Sequence, residues 1–237
     1  MRPDQASILV VDEELELLEI FSAWLGRSGF RVFTAPNGAE ALKVLRAQQV
    51  DVILSDIRMP IMDGVALVQN LNQMDTPPPR IIFVTGYGNI SRREIFAMGV
   101  DALLDKPLSR PALIEALDRC LLDSAEKWLI PSPLPIAQRI LLQLEGLKEA
   151  AAACAFTLGR GGCCVACDLP LKEGLPVELS IRFAREGLAL EAQGTVVWVD
   201  AEQKKAGVAF DFLQPECRPW VLARINSENP RCFIPQC

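Results

Sequence analysis

Five short apolar runs, each followed by a turn and an amphipathic stretch, constrain the first 122 residues more than any other feature of the chain. The runs are Ser7–Val11, Phe30–Thr34, Asp51–Ser55, Ile81–Val84 and Ala102–Leu104. They are short, several are rich in β-branched residues, and charged or turn residues follow them, as in parallel strands buried on both faces. Between them lie helical patterns. Leu15, Leu18, Phe21, Ser22 and Leu25 form one stripe that Gly29 closes, and Gly38–Gln48 carries Ala41, Leu42 and Leu45 at helical spacing. Val65–Leu71, Arg92–Met98 and Pro111–Leu122 repeat the theme. Five strand–helix units in succession predict a doubly wound α/β domain with a five-stranded parallel sheet over residues 1–122.

The pattern changes at 123–135, a Pro-rich linker in which Pro131, Pro133 and Pro135 remove backbone donors and helical angles. Beyond it, Gln138–Glu145, Cys154–Leu158, Gly162–Cys167, Pro176–Ala184, Leu188–Asp200 and Ala206–Leu213 read as strands. Turns such as Leu171–Gly174 and Ala184–Gly187 separate them, and a helix over Pro215–Ile225 closes the unit. Residues 136–226 therefore predict a small antiparallel β-barrel with a C-terminal helix, leaving 227–237 as a tail.

Composition excludes several chemistries. The 237 residues include no histidine, which removes imidazole acid–base catalysis, Ser-His-Asp and Cys-His nucleophiles and HExxH zinc sites. Net charge is −6, with 12 basic against 16 acidic residues through Leu122 and 12 against 14 after it, so neither half is a basic DNA-reading module. No uncharged apolar run is long enough to suggest a membrane span, and no secretory h-region opens the chain. The expected location is the cytoplasm, with thiols reduced. Cys163, Cys164 and Cys167 form a CCxxC cluster with no second CxxC and no histidine, which reads as core packing rather than a zinc site.

Acidic residues stand at the carboxyl ends of two expected strands, Asp12-Glu13 after Val11 and Asp56 after Ser55. In an open parallel sheet those ends converge on a crevice. Gathered carboxylates call for a cation, and Mg²⁺ suits a few carboxylates plus water and phosphate oxygens. Thr85 and Lys106 end the next two strands, supplying a hydroxyl donor and a fixed ammonium. Together they describe a phosphoryl pocket with an attacking aspartate.

Residues 7–122 resemble the receiver domain of two-component response regulators, through ILVVDEE, DVILSDIRMPIMDG, VTGYG and LLDKPL. The resemblance implies that Asp56 accepts phosphate from a phosphohistidine and that Thr85 and Lys106 assist. It implies Mg²⁺ on Asp12, Glu13, Asp56 and the main-chain carbonyl of Arg58. Two departures stand out: Glu13 replaces the usual aspartate ligand, and Leu103 replaces the aromatic residue that swings on phosphorylation. Haloacid-dehalogenase-type phosphatases use similar atoms, but need a second aspartate where this chain has Arg58, so steady turnover is not expected.

Residues 136–226 resemble a PilZ domain, a small barrel that often receives cyclic di-GMP, in their strand order, the GTVVWVD and GVAFDFL strands and the closing helix. Of the family's RxxxR pair Arg139 matches the second arginine and Pro135 replaces the first. The D/NxSxxG motif falls on 157–162 and keeps only its last glycine. Arg139 and Arg160 are the residues left to grip a phosphate, and Trp198 reads as core. The expectation is a degenerate PilZ-like output domain that contacts a downstream protein, with cyclic di-GMP reception as the alternative. Expected partners are a sensor histidine kinase or phosphotransfer protein and a downstream protein target, with no DNA; the last receiver helix is compatible with a homodimer.

Overall fold

A computed structural model describes residues 6–74, 78–86, 90–122, 126–131, 134–228 and 230–236. The chain divides into two units: Met1–Ile90 with Met98–Asp123, and Ser91–Ala97 with Ser124–Cys237.

The first unit alternates strand and helix: β1 (Ser7–Val11), α1 (Leu15–Arg27), β2 (Arg31–Ala35), α2 (Gly38–Ala47), β3 (Val52–Asp56), α3 (Gly64–Asn72) and β4 (Arg80–Thr85). After α4 (Arg92–Ala97), which groups with the second unit, come β5 (Ala102–Asp105) and α5 (Arg110–Leu121). The sheet is parallel in the order β2-β1-β3-β4-β5, as the alternating pattern predicts. Every residue of β1 and the first four of β3 are buried, consistent with helices on both faces. Leu18, Phe21 and Leu25, the expected stripe, face a core with Val10, Leu54, Val84 and Leu117. Helix boundaries follow local chemistry. Gly29 takes φ 93° after α1, the left-handed turn that glycine adopts without steric cost. Asn37, Asp63 and Ser109 cap α2, α3 and α5 by accepting from amides three residues on.

The second unit contains β6 (Gln138–Leu144), α6 (Leu147–Ala152), β7 (Phe156–Leu158), β8 (Gly162–Ala166), β9 (Pro176–Phe183), β10 (Leu188–Asp200), β11 (Lys205–Leu213) and α7 (Arg218–Glu228). Its strands form a mostly antiparallel sheet in the order β6-β9-β10-β11-β8-β7. All six strands lie where the sequence predicts them, within two residues at each end. One pairing differs: β6 runs parallel to β9. The chain leaves β6 through α6, β7 and β8 before reaching β9, and such a long connection allows a parallel return that a tight hairpin does not. β9 and β10 alternate buried and half-buried residues, so Val177, Leu179, Ile181 and Phe183 meet Leu190, Ala192 and Val196 in one core.

Trp198 is buried, as expected, and its indole fills the space over Gly207, where a Cβ would overlap the ring. Arg93 of α4 lies over that ring and pairs with Asp200. Cys163 packs in the core, where burial pushes its thiol well above the ordinary range. Cys164 departs from the expected reduced state: it is disulfide-bonded. Alternation along β8 turns it to the face opposite Cys163, where it too is fully buried.

Candidate functional site

Strand register gathers the chemistry of the first unit on one edge. Val11 lies level with Ser55, Asp56 with Val84, and Thr85 with Asp105. Asp12, Asp56, Thr85 and Lys106 therefore all leave the carboxyl ends of adjacent strands, where an open parallel sheet presents its crevice. Lys106 joins two of them. Its Nζ donates to Asp56 Oδ2 at 2.8 Å and to Asp12 Oδ2 at 3.2 Å. Its own amide donates to the Thr85 carbonyl at 2.8 Å, which fixes the lysine to the end of β4.

Burial sharpens this arrangement. Asp12 is 1% exposed, and the Asp56 and Lys106 side chains keep 14% and 22% of their surface. Burial works against the Lys106 ammonium, but hydrogen bonds and charge from Asp56 and Asp12 outweigh it and hold its pKa above the ordinary lysine value. The other oxygen of Asp56, Oδ1, accepts from the amides of Ile57 at 2.6 Å and Arg58 at 3.3 Å. These bonds fix the carboxylate plane and turn the chain away from β3. Helix α3 then closes against the turn, its Gly64 amide donating to Ile57 at 2.9 Å, and a Cβ at Gly64 would overlap the Asp56 carbonyl.

The acidic segment spans buried and exposed positions. Asp12 points into the site, whereas Glu13 is exposed, and among the described residues no group of three Asp, Glu, Cys or His side chains is disposed to hold a metal ion. Glu14, in extended backbone, brings its carboxylate within 4.0 Å of Lys106 Nζ. Its amide donates to Asp12 Oδ1 at 2.9 Å. The run of three acids was the available signal, but their facing depends on the backbone beyond β1.

The donor set still suits a hard divalent cation. Asp12 and Asp56 share one ammonium, and Mg²⁺ is commonly held by one or two carboxylates with water and phosphate oxygens filling the remaining positions. Glu13, the expected third carboxylate, is exposed.

In the second unit the two candidate arginines have other engagements. Arg139 is largely exposed on β6 and pairs with its cross-strand neighbour Glu178 at 2.6 Å. Arg160, between β7 and β8, donates its amide to the Cys232 carbonyl at 3.2 Å. They lie at opposite ends of the hydrogen-bonded strand order, on β6 and beside β7.

Comparison with known proteins agrees with both halves. Residues 8–118 match the response regulator receiver domain family, and residues 153–218 match the PilZ domain family. The transcriptional regulatory protein GlrR of Escherichia coli is 35% identical over 145 residues, spanning 58% of this chain and 32% of GlrR. The probable transcriptional regulator ycf27 of Pyropia yezoensis is 35% identical over 128 residues, 54% of this chain and 51% of that protein. The chain thus spans about a third to a half of the length of these relatives. Among solved structures, Vibrio cholerae CheY4 is 30% identical with a TM-score of 0.44, covering 49% of this chain and 98% of that one. Thermotoga maritima TrrA in complex with Mg²⁺ and BeF is 28% identical with a TM-score of 0.45, covering 49% of this chain and all of that one.

Proposed function

We propose that this chain, which joins a response regulator receiver domain to a PilZ domain, is a two-component response regulator phosphorylated on Asp56, with its PilZ domain as a protein-contacting output. The observation that carries the reading is the Lys106 ammonium shared between Asp56 and Asp12 at the strand ends. A carboxylate oxygen of Asp56 attacks the phosphorus of a phosphohistidine on a partner kinase or phosphotransfer protein. The phosphorus–nitrogen bond breaks, the imidazole leaves with a proton, and an acyl phosphate remains. Lys106 offsets the negative charge that gathers on the transferred group, and the Thr85 hydroxyl donates to a phosphoryl oxygen. Asp12 and Asp56, with the main-chain carbonyl of Arg58, would hold Mg²⁺, which when bound supplies further charge neutralisation at the phosphoryl oxygens. The absence of histidine from the chain fits this division of labour: the acceptor is here and the donor imidazole belongs to the partner.

The domain limits that go with this reading are 1–122 for the receiver, 123–135 for the linker, 136–226 for the PilZ domain and 227–237 for the tail. Both domain types act as signalling modules rather than turnover enzymes, so a single slow cycle of phosphorylation and hydrolysis is expected. No helix among the described residues is long and apolar enough to cross a membrane. Cyclic di-GMP reception is the less favoured output, because Arg139 is committed to Glu178 and the 157–162 segment lacks the polar residues of the family motif.

Incubation with acetyl phosphate and Mg²⁺ followed by intact mass measurement tests the acceptor role. The wild type gains one phosphate adduct that Asp56→Asn lacks. An adduct of equal size on Asp56→Asn, or none on either protein, overturns the assignment.

A further inference from the structure

Leu141 stands out among the large apolar side chains exposed on the described residues. It keeps 71% of its surface and is the one member of that group that lies in a strand. Its strand, β6, ends the sheet order of the second unit, with β9 as its one strand neighbour among the described residues. Main-chain bonds at the two ends of β6 run to the β9 side as well, Ala137 donating to Pro176 and Leu144 accepting from Ala184, each at 3.0 Å.

The other sheet ends are shorter. β7, at the far end of the same sheet, has three residues, and β5 and β2 of the first unit have four and five, against seven in β6. Short edges, lysines, prolines and bulges are the usual means of keeping an edge strand from pairing with another chain. β6 has none of them. Gln138–Leu144 contains no proline or lysine, its pairing with β9 runs without a register shift, and its one charge, Arg139, is neutralised by Glu178. Its side chains alternate: Ile140, Leu142 and Leu144 pack toward the core, while Arg139, Leu141 and Gln143 are exposed on the other face.

That alternation is self-complementary. Antiparallel pairing of two copies about a two-fold axis beside Leu141 sets Leu141 against its own counterpart and Arg139 against Gln143. On the core face Ile140 meets Leu142, so each apolar layer continues across the seam. Moving the axis two residues toward the N-terminus puts Arg139 against its counterpart, a repulsion of like charges, and moving it two the other way sets Leu141 against Glu145. We propose that β6 is a dimerisation strand, pairing antiparallel with β6 of a second copy of this chain in the register centred on Leu141, so that the two sheets become one. A second copy is the occupant because the same seven residues supply both halves of the match.

The test uses the full chain without a phosphoryl donor, so its outcome is separate from the Asp56 assignment. Sedimentation equilibrium of the wild type shows a reversible dimer in the micromolar to submillimolar range. Leu141→Lys sets two ammonium groups against each other and weakens association at least tenfold, whereas Leu141→Ile keeps it. Circular dichroism establishes that both variants are folded, as the exposure of Leu141 leads one to expect. The register has its own reading: a short bismaleimide links Leu141→Cys across the seam, and peptide mass spectrometry finds position 141 joined to position 141. Arg31→Cys, at an exposed position on the edge strand β2, is not joined to itself under the same conditions. A wild type that stays monomeric through the submillimolar range, unchanged association of Leu141→Lys, or linkage of Leu141→Cys no greater than that of Arg31→Cys overturns the proposal.

Discussion

Replacing Lys106 with methionine tests the electrostatic account of the receiver site most sharply. Methionine keeps much of the volume of the stem but removes the ammonium that bonds Asp56 at 2.8 Å and Asp12 at 3.2 Å. Asp12 is 1% exposed, so water does not replace the lost partner, and two carboxylates are left facing one another. Removing one member of a buried ion pair costs about 3–5 kcal/mol. The partial exposure of the Lys106 and Asp56 side chains, 22% and 14%, places the expectation near the lower end, about 3 kcal/mol. Hydrogen exchange of the buried β1 and β3 amides, which open only when the first unit unfolds, is the assay. A loss of about 3 kcal/mol accelerates that exchange roughly a hundredfold at pH 7. Adding Asp12→Asn removes one of the two opposed charges and recovers about half of the loss, because the remaining Asp56 carboxylate is the more exposed. Exchange in Lys106→Met within threefold of wild type would refute the claim that this ammonium offsets the buried pair.

Three further predictions follow from the same geometry. The raised Lys106 pKa makes its stabilisation complete below the ordinary lysine value and lost as pH rises through the higher folded value; the stability gap between wild type and Lys106→Met stays flat from about pH 7 to 10 and narrows above it, read by denaturant unfolding of both proteins. Gly64→Ala drives a methyl group into the Asp56 carbonyl, costing about 1–3 kcal/mol and slowing acetyl phosphate labelling of Asp56; thermal unfolding and adduct kinetics measure the two effects. Gly207→Ala forces the Trp198 indole from its seat, costing about 3 kcal/mol in the second unit, with a weakened near-ultraviolet tryptophan signal while exchange of the β1 and β3 amides is unchanged.

Much of this was legible in the sequence because the controlling signals are local. Short β-branched runs closed by turns mark fully buried parallel strands, and the residue after each run lands on the same sheet edge whatever the helices do. That is why Asp12, Asp56, Thr85 and Lys106 could be placed together in advance. Glu13 could not be. Its exposure depends on the backbone past Val11, where the Asp12 side chain accepts the Glu14 amide. Helix α6 escaped notice because six residues of LKEAAA are too short to show an apolar period, though their alanines are strong helix formers. The parallel β6–β9 pairing was hidden because strand patterns carry no record of direction.

The cysteines and the tail show the same limit. Cys163 is in the core as its spacing predicts, while the CCxxC spacing carries no signal for the disulfide state of Cys164. The C-terminal residues have no periodicity, yet Ile234 is fully buried. Their main-chain partners include Arg160 and Gly161, some seventy positions earlier, and a glycine-rich turn by itself does not say what approaches it.

The central claim is that Asp56 carries an acyl phosphate. Borohydride reduction after acetyl phosphate treatment converts such an aspartyl phosphate to homoserine, and peptide mass spectrometry locates the converted residue. The account predicts homoserine at position 56, dependent on Mg²⁺ and strongly diminished in Lys106→Met. Conversion at another aspartate, or an unmodified Asp56 in protein that bears a phosphate adduct, would contradict it.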